Sequence, residues 1–379
     1  MKIAIPSELL HGEKRVPVIP DGVAKLVKAG AEVVIQAGMG APSRHFDDAY
    51  TAAGATVSTD REAMIRGADM VLRLGKPPAE EVAWLKPGCI HVSYLDPFFD
   101  PALTDALAAA KISAIGMEMI PRTTRAQKMD ALSSQANLAG YACVTLAAAK
   151  LDKVFPMIMS PAGTIQPARV LIVGVGVAGL QAIATAKRLG ARVEAYDTRP
   201  ETAEQIESLG AKAVKLDIGE TGTTDRGYAK ELTNEQKAEQ QRQLAKVIAN
   251  ADVLITTAAL FGRKPPQIVN AEMVAGMRSG SVIVDLAVSD TGGNVAGSKF
   301  GEVIVTENGV TIIGLANFPS EVAINASQVY SANLTNLVLE FWDKETKAFN
   351  LNREDEIIKG CLVTHDGALV NDFIKSRRA

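Results

Sequence analysis

The chain has 379 residues, 47% of them hydrophobic, and a formal net charge of −3, so it is long enough for two or three domains, and its charge gives no reason to expect nucleic acid as a partner. Three scattered cysteines and four histidines without H-x-x-H spacing indicate neither a disulfide framework nor a metal site, and the unpaired thiols favour a reducing compartment. Neither a secretory signal nor an apolar run of about 18 residues is visible, so we expect no membrane span in this chain.

The first 135 residues alternate strand-like and helix-like segments, which is typical of an α/β domain. A helix is predicted over Ala102–Ala110, because Pro101 stands where a first helical turn accepts proline. Five strands are predicted in this part of the chain, at Lys2–Pro6, Glu32–Gln36, Met70–Leu74, Cys89–Ser93 and Ile112–Met117.

A polar segment, Pro121–Asn137, follows the last of these strands. It lies at the carboxyl end of a strand and at the expected join between two domains, where ligands bind in α/β folds. Its arginine, glutamine, aspartate and serine side chains could bind a ligand. They could equally form an interdomain salt-bridge cluster and the capped start of a helix, and the spacing alone does not separate the two interpretations.

A glycine-rich turn follows the predicted strand that begins at Arg169. Gly174, Gly176 and Gly179 have G-x-G-x-x-G spacing, and a helix predicted over Leu180–Leu189 comes directly after them. The first glycine permits the tight turn, the second lets the backbone approach a pyrophosphate, and the third lets helix and strand pack closely. The strand, turn and helix together predict a dinucleotide-binding site.

An acidic residue stands where this fold places the ligand of the adenosine ribose. The second predicted strand, Arg192–Tyr196, ends on Asp197, 18 residues past Gly179. A carboxylate accepts hydrogen bonds from both ribose hydroxyls of NAD and repels the additional phosphate of NADP, so we expect NAD. Arg199 leaves two alternatives open, since it could pair with that phosphate or be a solvated residue.

The rest of the chain completes two α/β domains. Later strands are predicted at Val253–Thr256, Val282–Asp285 and Thr311–Ile313, and an amphipathic helix over Ser320–Phe341 returns to the first domain before a tail hairpin over Ile357–Val370. We therefore expect a discontinuous first domain of residues 1–135 and 320–379 and a second domain of residues 136–319. The predicted fold class is α/β, with two Rossmann-like, doubly wound parallel-sheet domains and a nucleotide cleft between them.

One long polar insertion, residues 217–243, interrupts the second domain. Its composition favours a flexible surface loop. Tyr228, an aromatic residue after a glycine in a polar loop, instead suits a mobile lid that closes over a ligand.

Three motifs resemble those of the soluble NAD(H)-binding alpha subunits of proton-translocating NAD(P)+ transhydrogenases, in the alanine dehydrogenase/transhydrogenase family. They are the segment Pro121–Ser134, the turn and helix Gly174–Gly190, and the loop Gly227–Glu231. The resemblance implies that the nicotinamide end is bound by Arg122, Thr123, Thr124, Gln127, Asp130 and Ser133. Among these, Gln127, Asp130 and Arg122 are the catalytic candidates. It further implies that Val177, Asp197, Thr198 and Arg199 hold the adenosine side, and that Gly227 and Tyr228 form a mobile lid.

The resemblance also implies a function and partners. This chain would bind NAD(H) and position NADH for direct hydride transfer to NADP+, which a partner beta subunit holds. The transfer would be coupled to proton movement across a membrane, so that the enzyme, an oxidoreductase and translocase, is active only with its partner subunits. The family further implies a homodimer that is peripheral at the cytoplasmic face of the inner membrane, through membrane-spanning partner subunits.

Two alternatives remain from the residues. Glu13–Val16 followed by Pro20 looks like the carboxylate-binding arginine region of alanine dehydrogenase, an amino-acid dehydrogenase. That enzyme needs proton transfer, yet Gly75 and Asp96 stand at its lysine and histidine positions, with Lys76 one residue away. A third interpretation is a non-enzymatic NAD-sensing module, which would not need a lid.

Overall fold

The computed structural model of the protein describes residues 1–219, 221–222, 230 and 232–378. The chain forms two compact units, one of Met1–Gln135 with Pro319–Ala379 and the other of Ala136–Phe318. The first division between the units falls inside a long helix, α6 below. Among the described helices, none is both long enough and apolar enough to cross a membrane.

The amino-terminal part of the first unit alternates short strands and helices. Its elements are β1 (Lys2–Ile5), α1 (Pro20–Lys28), β2 (Glu32–Gln36), α2 (Asp47–Ala52), β3 (Thr56–Ser58), α3 (Arg61–Arg66), β4 (Met70–Leu72), α4 (Ala79–Val82), β5 (Ile90–Ser93), α5 (Pro101–Ala109) and β6 (Ser113–Gly116). The helix α5 begins at Pro101, and Asp100 caps it by accepting a hydrogen bond from the Leu103 backbone N–H at 3.1 Å.

The second unit follows α6 (Ala131–Lys150). Its elements are β7 (Ile158–Ser160), β8 (Gly163–Ile165), β9 (Arg169–Val173), α7 (Val177–Arg188), β10 (Arg192–Tyr196), α8 (Thr202–Ser208), β11 (Lys212–Ala213), α9 (Asn234–Ile248), β12 (Val253–Thr256), α10 (Ala271–Ala275), β13 (Val282–Asp285), β14 (Glu302–Val305) and β15 (Thr311–Gly314).

The chain then returns to the first unit. It contributes α11 (Ala323–Glu340), β16 (Trp342–Asp343), β17 (Ala348–Phe349), α12 (Glu356–Cys361), β18 (Leu362–His365), β19 (Ala368–Leu369) and α13 (Asp372–Arg378). The tail hairpin predicted over Ile357–Val370 is wrong at its start, which is α12. Asp355 caps this helix, because its carboxylate accepts a hydrogen bond from the Ile357 N–H at 2.9 Å.

Each unit is built on one mainly parallel sheet. The strand order is β19-β18-β6-β5-β4-β1-β2-β3 in the first unit and β11-β10-β9-β12-β13-β15-β14 in the second. The strands β1–β6 and β9–β13 run parallel to their neighbours, whereas β14, β18 and β19 pair antiparallel. The order reverses at β1/β4 and at β9/β12, so both sheets are doubly wound and the predicted fold class is confirmed.

Buried hydroxyl groups fasten α11 to the first unit. The Ser327 and Ser331 hydroxyls accept hydrogen bonds from the backbone N–H groups of Val16 (2.9 Å) and Ile19 (3.1 Å). The Tyr330 hydroxyl, fully buried, donates to the Arg73 carbonyl at 2.9 Å. These bonds satisfy backbone groups that are removed from water, so the returning helix completes the hydrogen bonding of the amino-terminal half.

We expect Tyr330→Phe to lower the free energy of unfolding by about 1–3 kcal/mol, because it leaves the buried Arg73 carbonyl without its donor. Urea unfolding followed by circular dichroism measures the change. Tyr141→Phe is the matched control, since Tyr141 is 42% exposed. Equal midpoints for the two variants would contradict this assignment.

Candidate functional site

The glycine turn after β9 is fixed by contacts that only glycine permits. Gly174 has φ +95°, and a Cβ there would lie 2.8 Å from the Ala258 N and the Thr257 Oγ1. A Cβ on Gly179 would lie 2.0 Å from the Gly174 carbonyl oxygen. The Thr257 hydroxyl also donates to that carbonyl at 2.8 Å. The turn is therefore pressed between α7 and the segment that follows β12.

The middle glycine has a different surrounding. A Cβ on Gly176 would meet no described atom within 4 Å, so its backbone borders open space. Gly176 is also the N-cap of α7, and no side chain caps that end of the helix. The first amide groups of a helix form an anion-binding end, and an open, uncapped glycine beside them leaves room for a phosphate group.

The carboxylate of Asp197 lies next to this turn and is saturated with hydrogen bonds. Its Oδ2 accepts from the Val175 N–H (2.7 Å) and the Arg199 Nη2 (2.9 Å). Its Oδ1 accepts from the backbone N–H and the Nε of Arg199, both at 2.9 Å. The Asp197 side chain is 7% exposed and that of Arg199 is 16% exposed. The pKa of Arg199 is raised, mainly by its hydrogen bond to Asp197.

A cavity of about 360 Å³ opens beside Asp197 at the carboxyl ends of β10 and β11. Its wall combines Asp197, Thr198 and Arg199 with apolar side chains such as Leu216 and Ile218. The Thr221 hydroxyl hydrogen-bonds to the Thr198 carbonyl and closes one side. A concave site of this size, with an apolar wall and a few polar groups, suits part of a small ligand.

In the first unit, the predicted ligand segment forms a short 3-10 turn, Gln127–Met129, before α6. Asp130 accepts hydrogen bonds from the Ser133 N–H (2.9 Å) and hydroxyl (2.6 Å). This Asp-x-x-Ser pairing is the capped helix start that the sequence allowed as an alternative. It holds the Asp130 carboxylate in one orientation.

The same segment is anchored by residues that alternate with the candidates. Ala126 and Met129 are fully buried. Arg125 pairs with Glu340 and Asp355, and Lys128 pairs with Glu340 at 2.7 Å. The remaining predicted side chains, Arg122, Thr124 and Gln127, are exposed, while Thr123 is partly buried with its hydroxyl 3.5 Å from the Glu356 carboxylate. The salt-bridge alternative therefore holds for Arg125 and Lys128, within one unit, and leaves the ligand alternative to the others.

The structure thus groups the predicted residues in two sets. Gly174, Gly176, Gly179, Val177, Asp197, Thr198 and Arg199 lie on one edge of the second unit, and Arg122, Thr123, Thr124, Gln127, Asp130 and Ser133 lie in one segment of the first unit. The predicted lid residues Gly227 and Tyr228 lie outside the described residues. Within the described part of the chain, no cluster of histidine, cysteine, aspartate and glutamate could hold a metal ion.

Sequence reasoning missed Asn294, which is fully buried and shapes the segment after β12. Its side-chain amide accepts from the Ala258 N–H (3.0 Å) and donates to the carbonyls of Ala258 (2.9 Å) and Pro266 (2.8 Å). Asp285, also buried, accepts from the Val295 N–H at 3.1 Å, and burial raises its pKa. The available signal was Gly292-Gly293-Asn294, where a Cβ on Gly293 would lie 2.4 Å from the Asp285 carboxylate.

The residues that resemble an amino-acid carboxylate site are engaged internally. The guanidinium of Arg15 donates from Nε (2.9 Å) and Nη2 (2.8 Å) to Glu13 and from Nη1 (2.8 Å) to Gln135, and its side chain is 9% exposed. Lys76 pairs with the Asp100 carboxylate at 2.6 Å. This arrangement leaves the guanidinium with little access to a substrate carboxylate.

The loop that carries Asp96 offers no histidine. Asp96 has φ +54°, and Glu118 holds the loop by accepting hydrogen bonds from the N–H groups of Leu95 (2.7 Å) and Asp96 (2.6 Å). Burial raises the pKa of Glu118 to about 7. The nearest histidine in sequence, His91, is fully buried, and burial together with Arg73 lowers its pKa to about 3. It cannot serve as a general acid at neutral pH.

Comparisons with known proteins agree over both units. The family models described as "Alanine dehydrogenase/PNT, N-terminal domain" and "Alanine dehydrogenase/PNT, C-terminal domain" match residues 4–139 and 143–372. An NAD(P) transhydrogenase alpha-subunit chain of Rhodospirillum rubrum is 45% identical over the whole of both chains. The crystal structure of transhydrogenase from Sinorhizobium meliloti has a TM-score of 0.87 and 40% identity, covering 98% of this chain and 100% of that one. An L-alanine dehydrogenase structure has a TM-score of 0.82 and 26% identity, covering 100% and 99%.

The surroundings of the glycines predict different effects of the same substitution. Gly179→Ala should lower the free energy of unfolding by about 1–3 kcal/mol or more, because its methyl group meets the Gly174 carbonyl and forces α7 away from the turn. Gly176→Ala should change it by less than about 0.5 kcal/mol, because the methyl group meets nothing. Chemical denaturation of both variants compares them. Equal destabilisation would contradict the close approach of α7.

Proposed function

Since the chain belongs to the alanine dehydrogenase/PNT family, we propose that it is the NAD(H)-binding subunit of a proton-translocating NAD(P)+ transhydrogenase. The observation that carries the proposal is the pairing, on one edge of the second unit, of an uncapped glycine turn with the Asp197 carboxylate. The similarity to transhydrogenase alpha subunits over the full chain supports the same conclusion.

In this proposal the turn binds the pyrophosphate of NAD(H) and Asp197 binds its adenosine ribose. The open backbone at Gly176 and the first amides of α7, beginning at Val177, hold the phosphates. The cavity lined by Thr198, Arg199 and Leu216 takes the adenosine end. A carboxylate at the end of β10 selects against the 2′-phosphate of NADP(H), which a partner subunit would bind instead.

The segment that contains Gln127 and Asp130 holds the nicotinamide end. NADH bound there supplies a hydride, and hydride transfer between two nicotinamide rings moves no proton at the reacting carbon. Such a site needs position and orientation rather than a general base. Asp130 is oriented by Ser133, while Gln127 and Arg122 are exposed and offer an amide and a guanidinium to the ring and its ribose.

The loss of acid–base groups supports transhydrogenation over amino-acid oxidation. Amine oxidation requires proton transfer as well as hydride transfer. Glycine stands at position 75 and aspartate at position 96, while the Arg15 guanidinium is already paired with Glu13. An NAD-sensing module remains the other candidate, and it predicts nucleotide binding without hydride transfer.

The partners follow from the same assignment. The relatives are named as alpha subunits of a multi-subunit enzyme, so we propose membrane-spanning partners that include an NADP(H)-binding beta subunit. Proton coupling then belongs to the assembled complex. The subunit would be peripheral at the cytoplasmic face of the inner membrane, held there by protein contacts.

Mixed with a purified NADP(H)-binding partner domain, the chain should catalyse hydride transfer from NADH, and alone it should not oxidise alanine. Gln127→Ala and Asp130→Asn should lower the rate of transfer by about tenfold or more, because both residues position the ring. Stopped-flow absorbance with a nicotinamide analogue of shifted spectrum measures this rate.

Lys128→Ala is the matched control, because Lys128 lies in the same segment but pairs with Glu340. It should leave the rate nearly unchanged. Alanine-dependent NAD+ reduction that Lys76→Ala abolishes would instead support the amino-acid dehydrogenase, and nucleotide binding without any transfer would support the sensing module.

We also propose that the subunit is a homodimer and that the hairpin β7–β8 lies in the interface. The hairpin exposes Met157 (59%), Ile158 (38%), Met159 (80%) and Ile165 (45%), and residues 157–165 carry no charge. A two-stranded hairpin is marginally stable by itself, so its apolar side chains need a cover. An uncharged patch fits another copy of itself, as a two-fold interface requires.

Met159→Lys should therefore shift the mass measured by light scattering from two chains towards one, since it places a charge in the apolar interface. Leu10→Lys is the control, because Leu10 is similarly exposed (58%) but lies in the first unit. A Met159→Lys protein that keeps the mass of the wild type would exclude the hairpin from the interface.

A further inference from the structure

The hydrogen bonds of Asp197 divide into two kinds. Two come from backbone N–H groups, that of Val175 to Oδ2 and that of Arg199 to Oδ1. These bonds belong to the glycine turn and to the end of β10, and they do not depend on where the Arg199 side chain lies. The other two come from the guanidinium, with Nη2 on Oδ2 and Nε on Oδ1, each at 2.9 Å.

This arrangement leaves no acceptor site for a ribose. A carboxylate offers about four lone-pair sites, two on each oxygen, and all four are occupied. Both hydroxyls of an adenosine ribose would have to donate to Asp197, one to each oxygen. The only two sites that can be vacated without disturbing the backbone are those held by the guanidinium, and they too lie one on each oxygen.

The guanidinium therefore presents to Asp197 what a vicinal diol would present, two neighbouring donors for two oxygens. We propose that Arg199 is a placeholder for the ribose diol: it keeps the buried carboxylate paired when no nucleotide is bound, and it must leave when NAD(H) binds. This inference rests on the proposed NAD(H) binding and names the group that opposes it.

The surroundings allow the exchange. Arg199 lines the cavity of about 360 Å³ beside Asp197, so the released side chain has space to move into. Its remaining described guanidinium bond, from Nη2 to the Val175 carbonyl at 3.1 Å, is also to the turn and would be lost in the same movement. Without the placeholder, Asp197 would be a 7% exposed carboxylate with only two donors, which is unfavourable.

The proposal predicts that removing the arginine strengthens NADH binding, and only through the ribose hydroxyls. In Arg199→Met the dissociation constant for NADH, measured by nucleotide fluorescence, should fall by about tenfold, because no charge-assisted pair has to be broken. The analogue of NADH with a 2′,3′-dideoxyadenosine half cannot displace the guanidinium. Its dissociation constant should stay within about twofold of the wild-type value.

Two variants complete the test. Arg242→Met removes a similar two-donor pair, with Glu239 on the exposed surface of α9, and should change neither constant. Arg199→Lys keeps the charge but not the two-donor fork, so it should tighten NADH binding less than Arg199→Met. Arg199→Lys also decides the case if the methionine variant does not fold.

Weaker NADH binding by the Arg199 variants would overturn the proposal and would show that Arg199 donates to the nucleotide. An equal change for NADH and the dideoxy analogue would overturn it as well. In both cases the wild type still binds NADH, and the proposed function stands. A wild-type chain that binds no NADH would remove the proposed function and the placeholder together.

Discussion

The carboxylate of Asp197 is the interaction on which the candidate nucleotide edge depends. It joins the end of β10 to the turn after β9 through the Val175 N–H, while the contact between Gly179 and the Gly174 carbonyl presses α7 onto the same turn. A buried carboxylate is stable only when donors surround it, and the turn and Arg199 supply them. The edge is therefore organised before any nucleotide arrives, which lowers the entropy lost on binding.

The same fold supports two chemistries in this family, and the differences lie in few side chains. The chain retains Arg15, yet Glu13 and Gln135 take its donors, and Glu118 holds a loop that carries aspartate where the amino-acid dehydrogenases have histidine. Removing acid–base groups while keeping the nucleotide edge leaves a site that binds and orients. In the proposed function this suits hydride exchange between two nucleotides, where a general base has no proton to remove.

Much of this architecture was predictable from local pattern. The strand β9, the three glycines and Asp197 carry fixed spacing, because a turn that binds phosphate tolerates few alternatives. The role of Arg199 was not predictable, since a separation of two residues does not reveal whether a side chain turns back on its neighbour or out to solvent. For the same reason the sequence could not separate Arg125, which pairs with Glu340 and Asp355, from Gln127, whose side chain is exposed. The assignment of α12 failed because its apolar residues are equally compatible with a strand, and only the Asp355 cap distinguishes them.

The central claim is that this chain selects NAD(H) through a carboxylate at the end of β10. Calorimetric titration of the purified chain with NADH and with NADPH tests it most directly. The account predicts that NADH binds at least about tenfold more tightly, because the 2′-phosphate meets the Asp197 carboxylate where the ribose hydroxyls would donate to it. Equal dissociation constants for the two nucleotides, or tighter binding of NADPH, would contradict it.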